Sequence, residues 1–287
     1  QNMDKGVIVY STSGLGNRLR SLASAAVIAE ETGRRLRVYW DNIIPNGCLA
    51  KLEDLFENKF EEISLDEMTQ LEDCKMCCDA YDADRENWHF KNPTLSILIN
   101  KYGAQGKDSY NSEDNQKNIV IFNNNFLSGV NREKSNKWIA GLIPKKEIND
   151  KINAIADNLG LSKDVIGIHA RGSDFGTTVE YYLPLISELL SKDANKKFFV
   201  STEDKSFENR IISEFPNNII FRTKENYITK ENNNLAWNNY NSFAITKNHA
   251  QEAIEDMFLL SKTDIQIYHP NSTFCEIAKI ISENKIN

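Results

Sequence analysis

The chain has 287 residues and lacks any long apolar run. Its apolar stretches, such as Val165 to Ala170 and Phe198 to Val200, are strand-sized, far short of the roughly 20 residues that cross a bilayer. This excludes a spanning helix and leaves only peripheral association with a membrane open. Excess positive charge is also missing: the net charge is −7, with 34 Lys and Arg against 41 Asp and Glu. A nucleic-acid partner is therefore not expected, because phosphate backbones are held by clustered Lys and Arg.

Cysteine is sparse and odd in number, at five, in a chain too large to need disulfide staples, which suits reduced thiols in a reducing compartment. Cys74, Cys77 and Cys78 form C-x-x-C-C with His89 downstream, but a second spaced pair is missing, so a zinc site is disfavoured. The N-terminal residues show no basic region, apolar core or small-residue cleavage site. Secretion is not expected, and the cytoplasm is the expected compartment.

Three nucleotide motifs are likewise missing. No full G-x-G-x-x-G follows the first strand, and no acidic residue ends the second, where Trp40 stands with Asp41 one later; this disfavours a nicotinamide oxidoreductase. No G-K-[ST] follows the glycines, which excludes a P-loop. No D-x-D follows a strand read in the sequence, so independence of metal and of any other cofactor is expected.

What is present alternates between short β-rich runs and amphipathic helical stretches, the pattern of parallel sheets covered by helices. Val7 to Tyr10 reads as a strand, Asn17 to Thr32 as a helix ended by Gly33, and Leu36 to Trp40 as the next strand. From Cys48 to Asn118 the pattern is irregular, and Ile119 to Phe122 is the next strand. Pro144 precedes a helix from Lys145 to Leu159, and the domain junction is expected here, with one domain over 1–150 and another over 151–287. The second half predicts strands at Val165 to Ala170, Lys197 to Thr202, Ile219 to Arg222 and Ile265 to His269. Helices are predicted at Glu180 to Ser191, Ser206 to Phe215, Ala250 to Ser261 and Phe274 to Ser282. A polar, Asn-rich stretch between Thr223 and Asn248 reads as a functional or mobile loop.

Four motifs carry chemistry. Gly14-Leu15-Gly16-Asn17-Arg18 lies between the first strand and helix, where glycines permit a tight turn and a helix N-terminus offers N–H groups to an anion. Equally, a glycine pair at such a turn serves packing. His169-Ala170-Arg171-Gly172-Ser173-Asp174 sits at the C-terminal end of a buried strand, where open α/β sheets bind ligands. Arg171 there can grip a diphosphate through two parallel hydrogen bonds, or close a surface pair with Asp174. Ser201-Thr202-Glu203-Asp204 follows another apolar strand, and its acidic residues can simply cap the next helix. Last, Asp256 opens D-x-x-x-L-S on one helix, and Asn271-Ser272-Thr273-Phe274 opens the final helix with hydroxyls and free N–H groups.

In this order the motifs resemble the superfamily of α1,2-, α1,6- and protein O-fucosyltransferases. Gly14 to Trp40 is especially similar to the bacterial nodulation fucosyltransferases, and the resemblance covers residues 6 to 40 and 165 to 282. It implies an α/β fold of the GT-B type, two Rossmann-like domains facing across a cleft, with the donor in the second and the acceptor on the first. It implies an inverting transfer of fucose from GDP-fucose to a glycan hydroxyl. Arg171 would hold the donor β-phosphate, His169 would line the nucleotide site, Asp256 would contact guanine and Ser272 the diphosphate. Gly14, Gly16, Asn17, Arg18, Thr202 and Thr273 complete the expected donor site, with Asp174 or Glu180 as base. The sequence departs from the family at Gly172, where a second Arg is usual, and at Phe175, where a Lys is usual. Glu180 stands one position off the G-T-E pattern and can equally stabilise its helix. A same-fold transferase using another nucleotide sugar, or a non-catalytic nucleotide- or glycan-binding protein, are the alternatives.

Overall fold

The structure is a computed structural model that describes all residues except 1–4, 42–47, 49, 78–92, 103–109, 123–124, 172–177, 228–245 and 285–287. Two four-stranded parallel sheets organise it. In the first, β1 (Gly6–Ser11) lies between β2 (Arg35–Trp40) and β4 (Asn118–Phe122), with β3 (Cys74–Cys77) on the edge beside β4. In the second, β5 (Ile166–Ala170) lies between β6 (Phe198–Thr202) and β8 (Asp264–Ile267), with β7 (Ile219–Ile220) outside β6. Central strands of parallel sheets are covered on both faces, so every residue of β1 and β5 is buried and their sequences are near-continuous apolar runs.

The helices are α1 (Leu15–Thr32), α2 (Leu52–Leu55), α3 (Leu65–Thr69), α4 (Pro93–Tyr102) and α5 (Arg132–Ala140) in the first half. Then come α6 (Lys146–Leu159), α7 (Val179–Lys192), α8 (Lys205–Glu214), α9 (Lys247–Ser261) and α10 (Thr273–Asn284). Gly33 ends α1 at φ 65° and donates its N–H to the Ala29 carbonyl, a left-handed cap that glycine adopts without steric cost.

Side-chain alternation divides the core into layers. Ile8, Tyr10, Val120 and Phe122 face Met68 and Leu98 of α3 and α4, whereas Val7, Val9, Ile119 and Ile121 face α1. In the second sheet Ile166, Ile168, Phe198 and Val200 pack on Tyr182, Ile186, Phe207 and Ile211 of α7 and α8. The opposite face, with Phe199 and Ile265, joins the α1 side of the first sheet in one continuous core. Between the sheets, α10 packs against α1, α5 and α9, and α9 also meets α6 and α2. The chain's last helix thus covers the first helix.

Several elements differ from the sequence reading. The irregular stretch holds α2, α3, β3 and α4. The expected strand to Arg222 stops at Ile220, because the Arg222 guanidinium turns inward to the carboxylates of α9. Helix α9 starts at Lys247, not Ala250, with the Thr246 hydroxyl accepting the His249 N–H as its cap. Edge strand β3 also changes a premise, since Asp82-Ala83-Asp84 follows it by five residues. That D-x-D lies outside the described residues, as do Cys78 and His89. Among the described residues no group of three or more His, Cys, Asp or Glu is placed to hold a metal ion, and no helix is long and apolar enough to cross a membrane.

Candidate active site

A cavity of about 930 Å³, open to solvent, lies where the C-terminal ends of β5 and β6 meet the N-termini of α1 and α10 and the flank of α9. Ligands of open α/β sheets bind at these strand ends.

The β1–α1 turn forms one wall through Gly14, Leu15 and Gly16. Ser13 before it takes φ 70°, a left-handed conformation uncommon for a residue with a side chain. Arg18 holds it there. Its guanidinium is buried, with Nε donating to the Ser13 carbonyl at 2.8 Å and Nη1 to the Ser11 carbonyl at 3.2 Å, and it lies 4.7 Å from the centre of the Trp40 ring. Arg18 borders the cavity, yet these contacts commit its fork to the loop's own backbone. Gly16 does packing work, since a Cβ there would approach the Thr273 backbone of α10. The two helix N-termini meet at this point, and both bring their positive dipole ends to the cavity wall, through Leu15 and Gly16 of α1 and Thr273 and Phe274 of α10.

Ser272 precedes α10, and its Oγ accepts the Cys275 N–H at 3.2 Å, as an N-cap does. The same oxygen meets His169 Nδ1 at 3.2 Å, and the Phe274 ring stacks on the imidazole at 4.8 Å. Burial, with the nearby Arg171 charge, pushes the His169 pKa down to about 3. This ring is neutral at physiological pH and serves as a fixed wall.

Asp256 of α9 sits at the back of the cavity. Its Oδ1 accepts Arg222 Nε at 2.7 Å, and its Oδ2 accepts Lys224 Nζ at 2.8 Å and Ser201 Oγ at 3.1 Å. Burial alone would raise its pKa, but the Lys224 and Arg222 charges hold it below the usual carboxylate value. Arg222 also meets Glu255 at 2.8 Å. Lys224 donates to the Thr202 carbonyl as well, and the Thr202 hydroxyl accepts the Asp204 N–H at 3.1 Å.

The structure therefore brings Gly14, Gly16, Arg18, His169, Arg171, Thr202, Asp256 and Thr273 to one cavity. Ser272 stands behind its wall through His169. Asn17 is turned aside, its Oδ1 accepting Arg20 Nη2 at 2.9 Å. Asp174 lies outside the described residues. Glu180 does not line this cavity: its carboxylate, 66% exposed, faces Arg210 at 3.8 Å. Bonds from its own N–H and from Thr178 lower its pKa, and its place in the first turn of α7 suits the helix-stabilising role that the sequence also allows.

Sequence reasoning missed Lys224, Asn226, His249 and Glu252, which also line the cavity. A helical wheel could have found two of them, because His249, Glu252, Ala253 and Asp256 are spaced i, i+3, i+4 and i+7 on one face.

Among solved structures, the chain is similar to the fucosyltransferase NodZ from Bradyrhizobium, with a TM-score of 0.60 and 18% identity over 96% of this chain and 93% of that one. It is similar to NodZ alpha-1,6-fucosyltransferase soaked with GDP-fucose, at 0.61 and 17% over 96% and 92%, and to POFUT1 in complex with GDP-fucose, at 0.57 and 13% over 98% and 94%. These likenesses establish the fold, α/β of the GT-B type. No curated protein sequence matches. The family model for Nodulation protein Z (NodZ) matches residues 3–287, and the chain belongs to that family.

Proposed function

We propose that this protein is an inverting glycosyltransferase that moves fucose from GDP-fucose to a hydroxyl of a glycan acceptor. The observation that carries this reading is the convergence of two helix N-termini and Arg171 on one cavity at the end of β5. Such a site matches a diphosphate: N–H groups and dipole ends meet its oxygens, and the guanidinium fork can bind two of them. Solved relatives of this fold hold GDP-fucose.

In this mechanism the acceptor hydroxyl attacks the anomeric carbon from the side opposite the leaving GDP. Arg171 and the N-termini of α1 and α10 stabilise the charge that gathers on the departing phosphate, a contribution worth several kcal/mol when preorganised. His169, Phe274 and Asp256 line the nucleobase side. Residues 151–287 supply the nucleotide side together with the β1–α1 turn, and the remainder of residues 1–150 the acceptor side. The setting assigned is reducing and cytoplasmic, in keeping with the sparse and odd number of cysteines in a chain of this size.

The test is a thermal-shift series with GDP, UDP, ADP and NAD, followed by fucose transfer from GDP-fucose with and without EDTA. The expected result is the largest stabilisation by GDP, and transfer that persists in excess EDTA. A larger shift with UDP overturns the guanine assignment. Recovery only on adding Mn²⁺ or Mg²⁺ overturns metal independence and points to Asp82 and Asp84.

A further inference from the structure

The transfer releases one proton, and Glu180 does not line the cavity. Among the described residues, the groups lining the cavity that could take that proton are His169, Glu203, His249, Glu252 and Asp256. Three of them are committed. His169 is bound to Ser272 and stacked on Phe274. Glu252 accepts the Glu225 N–H at 2.7 Å on one oxygen, and on the other the Asn226 N–H at 3.0 Å and side-chain amide at 2.8 Å. Asp256 is held by Arg222, Lys224 and Ser201.

His249 differs. It lies in the first turn of α9, half-buried, and its backbone N–H is fixed on the Thr246 hydroxyl. Its imidazole borders the cavity that Arg171 enters from β5 and Glu203 from the end of β6. No described residue makes a hydrogen bond to its ring. A proton acceptor must reach the attacking hydroxyl with an open lone pair, and His249 is placed to offer one.

We propose that His249 accepts the proton of the attacking hydroxyl, with Glu203 as a positioning residue that steadies the imidazolium so formed. This rests on the glycosyl-transfer reading above. The hydroxyl oxygen bonds to the anomeric carbon as the bond from that carbon to the β-phosphate oxygen breaks. GDP leaves with that electron pair, and the hydroxyl proton passes to the open ring nitrogen. The charged groups acting on the ring are Glu203 and the carboxylates of Glu252 and Asp256 on its own helix, with the Lys224 ammonium opposing them. Burial outweighs the carboxylates and lowers the pKa of His249 below the ordinary imidazole value. The resting ring is neutral and ready to accept a proton at pH 7.

The experiment follows GDP release from GDP-fucose, with water as the attacking hydroxyl, across pH for the wild type, His249→Gln, His249→Ala and Glu203→Gln. GDP affinity is measured by calorimetry alongside. In the wild type, turnover should fall as pH drops through the lowered His249 pKa. His249→Gln should lose roughly 100- to 10,000-fold in kcat and that acid limb, with GDP affinity within about threefold of wild type. Added imidazole should restore part of the His249→Ala loss. Glu203→Gln should move the acid limb to lower pH, because one negative charge near the ring is gone. Near-normal turnover in His249→Gln, an unchanged acid limb, or GDP affinity falling in step with kcat would each overturn the proposal. A wild-type protein that binds GDP but leaves GDP-fucose intact overturns the transferase reading itself, and is recognised before any variant is compared.

Discussion

Gly16 and Thr273 mark the contact between the first and last helices: a methyl group added at Gly16 would lie 2.7 Å from both the carbonyl carbon and the carbonyl oxygen of Thr273. Backbone cannot yield as a flexible side chain does. Gly16→Ala should therefore cost about 1–3 kcal/mol, as overpacking does, and weaken GDP binding by pushing the two N-termini apart. Gly14, at φ −61°, meets only the Asn17 amide at 3.5 Å, and Gly14→Ala should stay within about 0.5 kcal/mol. Urea unfolding of both variants checks this, and equal losses would show that the contact is slack.

Asp256→Asn removes the charge that balances Lys224 and half of the pairing of Arg222. Breaking a buried pair typically costs about 3–5 kcal/mol, and Glu255, still 2.8 Å from Arg222, should keep the loss near the lower end. Chemical denaturation of the unliganded protein measures it. A loss below about 1 kcal/mol would mean that water reaches Lys224.

His169 links stability to pH. Its folded pKa of about 3 lies below the ordinary 6.5, so the unfolded chain binds more protons between those values. Stability from this group is complete above pH 6.5 and is lost as pH falls toward 3, at about 1.4 kcal/mol per unit. Denaturation of wild type against His169→Asn from pH 7 to 4 should show a difference that shrinks with falling pH. A constant difference would mean that the ring protonates freely when folded.

Arg171→Lys keeps the charge and gives up the planar fork. Turnover should fall roughly 100- to 1,000-fold, about 2.7–4 kcal/mol, while the melting temperature of the free protein barely moves. Glu180→Gln serves as the contrast and should leave turnover within about threefold, because it removes only a helix-end charge. Steady-state kinetics on both variants decide the matter; the reverse ranking would place Glu180 in the chemistry.

The sequence displayed the sheets well because a covered parallel strand must be nearly continuous in apolar residues, and β1, β5 and β6 are so up to the polar residues near their C-terminal ends. It displayed β3 poorly: Cys74-Lys75-Met76-Cys77 is an edge strand with a mixed pattern, so its neighbour Asp82-Ala83-Asp84 was not recognised as following one. The site divided along similar lines. His169, Arg171 and Thr202 sit at or next to the ends of buried strands, positions that local pattern marks. Arg222 and Lys224 reach Asp256 from more than 30 residues upstream, and no local signal announces such a pairing. Asn17 and Arg18 sat in the right motif, but only the rotation of α1 shows that one turns to Arg20 and the other to the loop.

Helix α1 is covered by its own sheet on one flank and by α5 and α10 on the other, and Leu19, Leu22, Ala25 and Ile28 are all buried. That arrangement imposes a timetable on synthesis. When the first sheet and its helix leave the ribosome, the flank of α1 that α10 covers is still bare, and its cover is made only after the second sheet. A chain stopped before Thr273 therefore forfeits part of the packing of the half it has already completed.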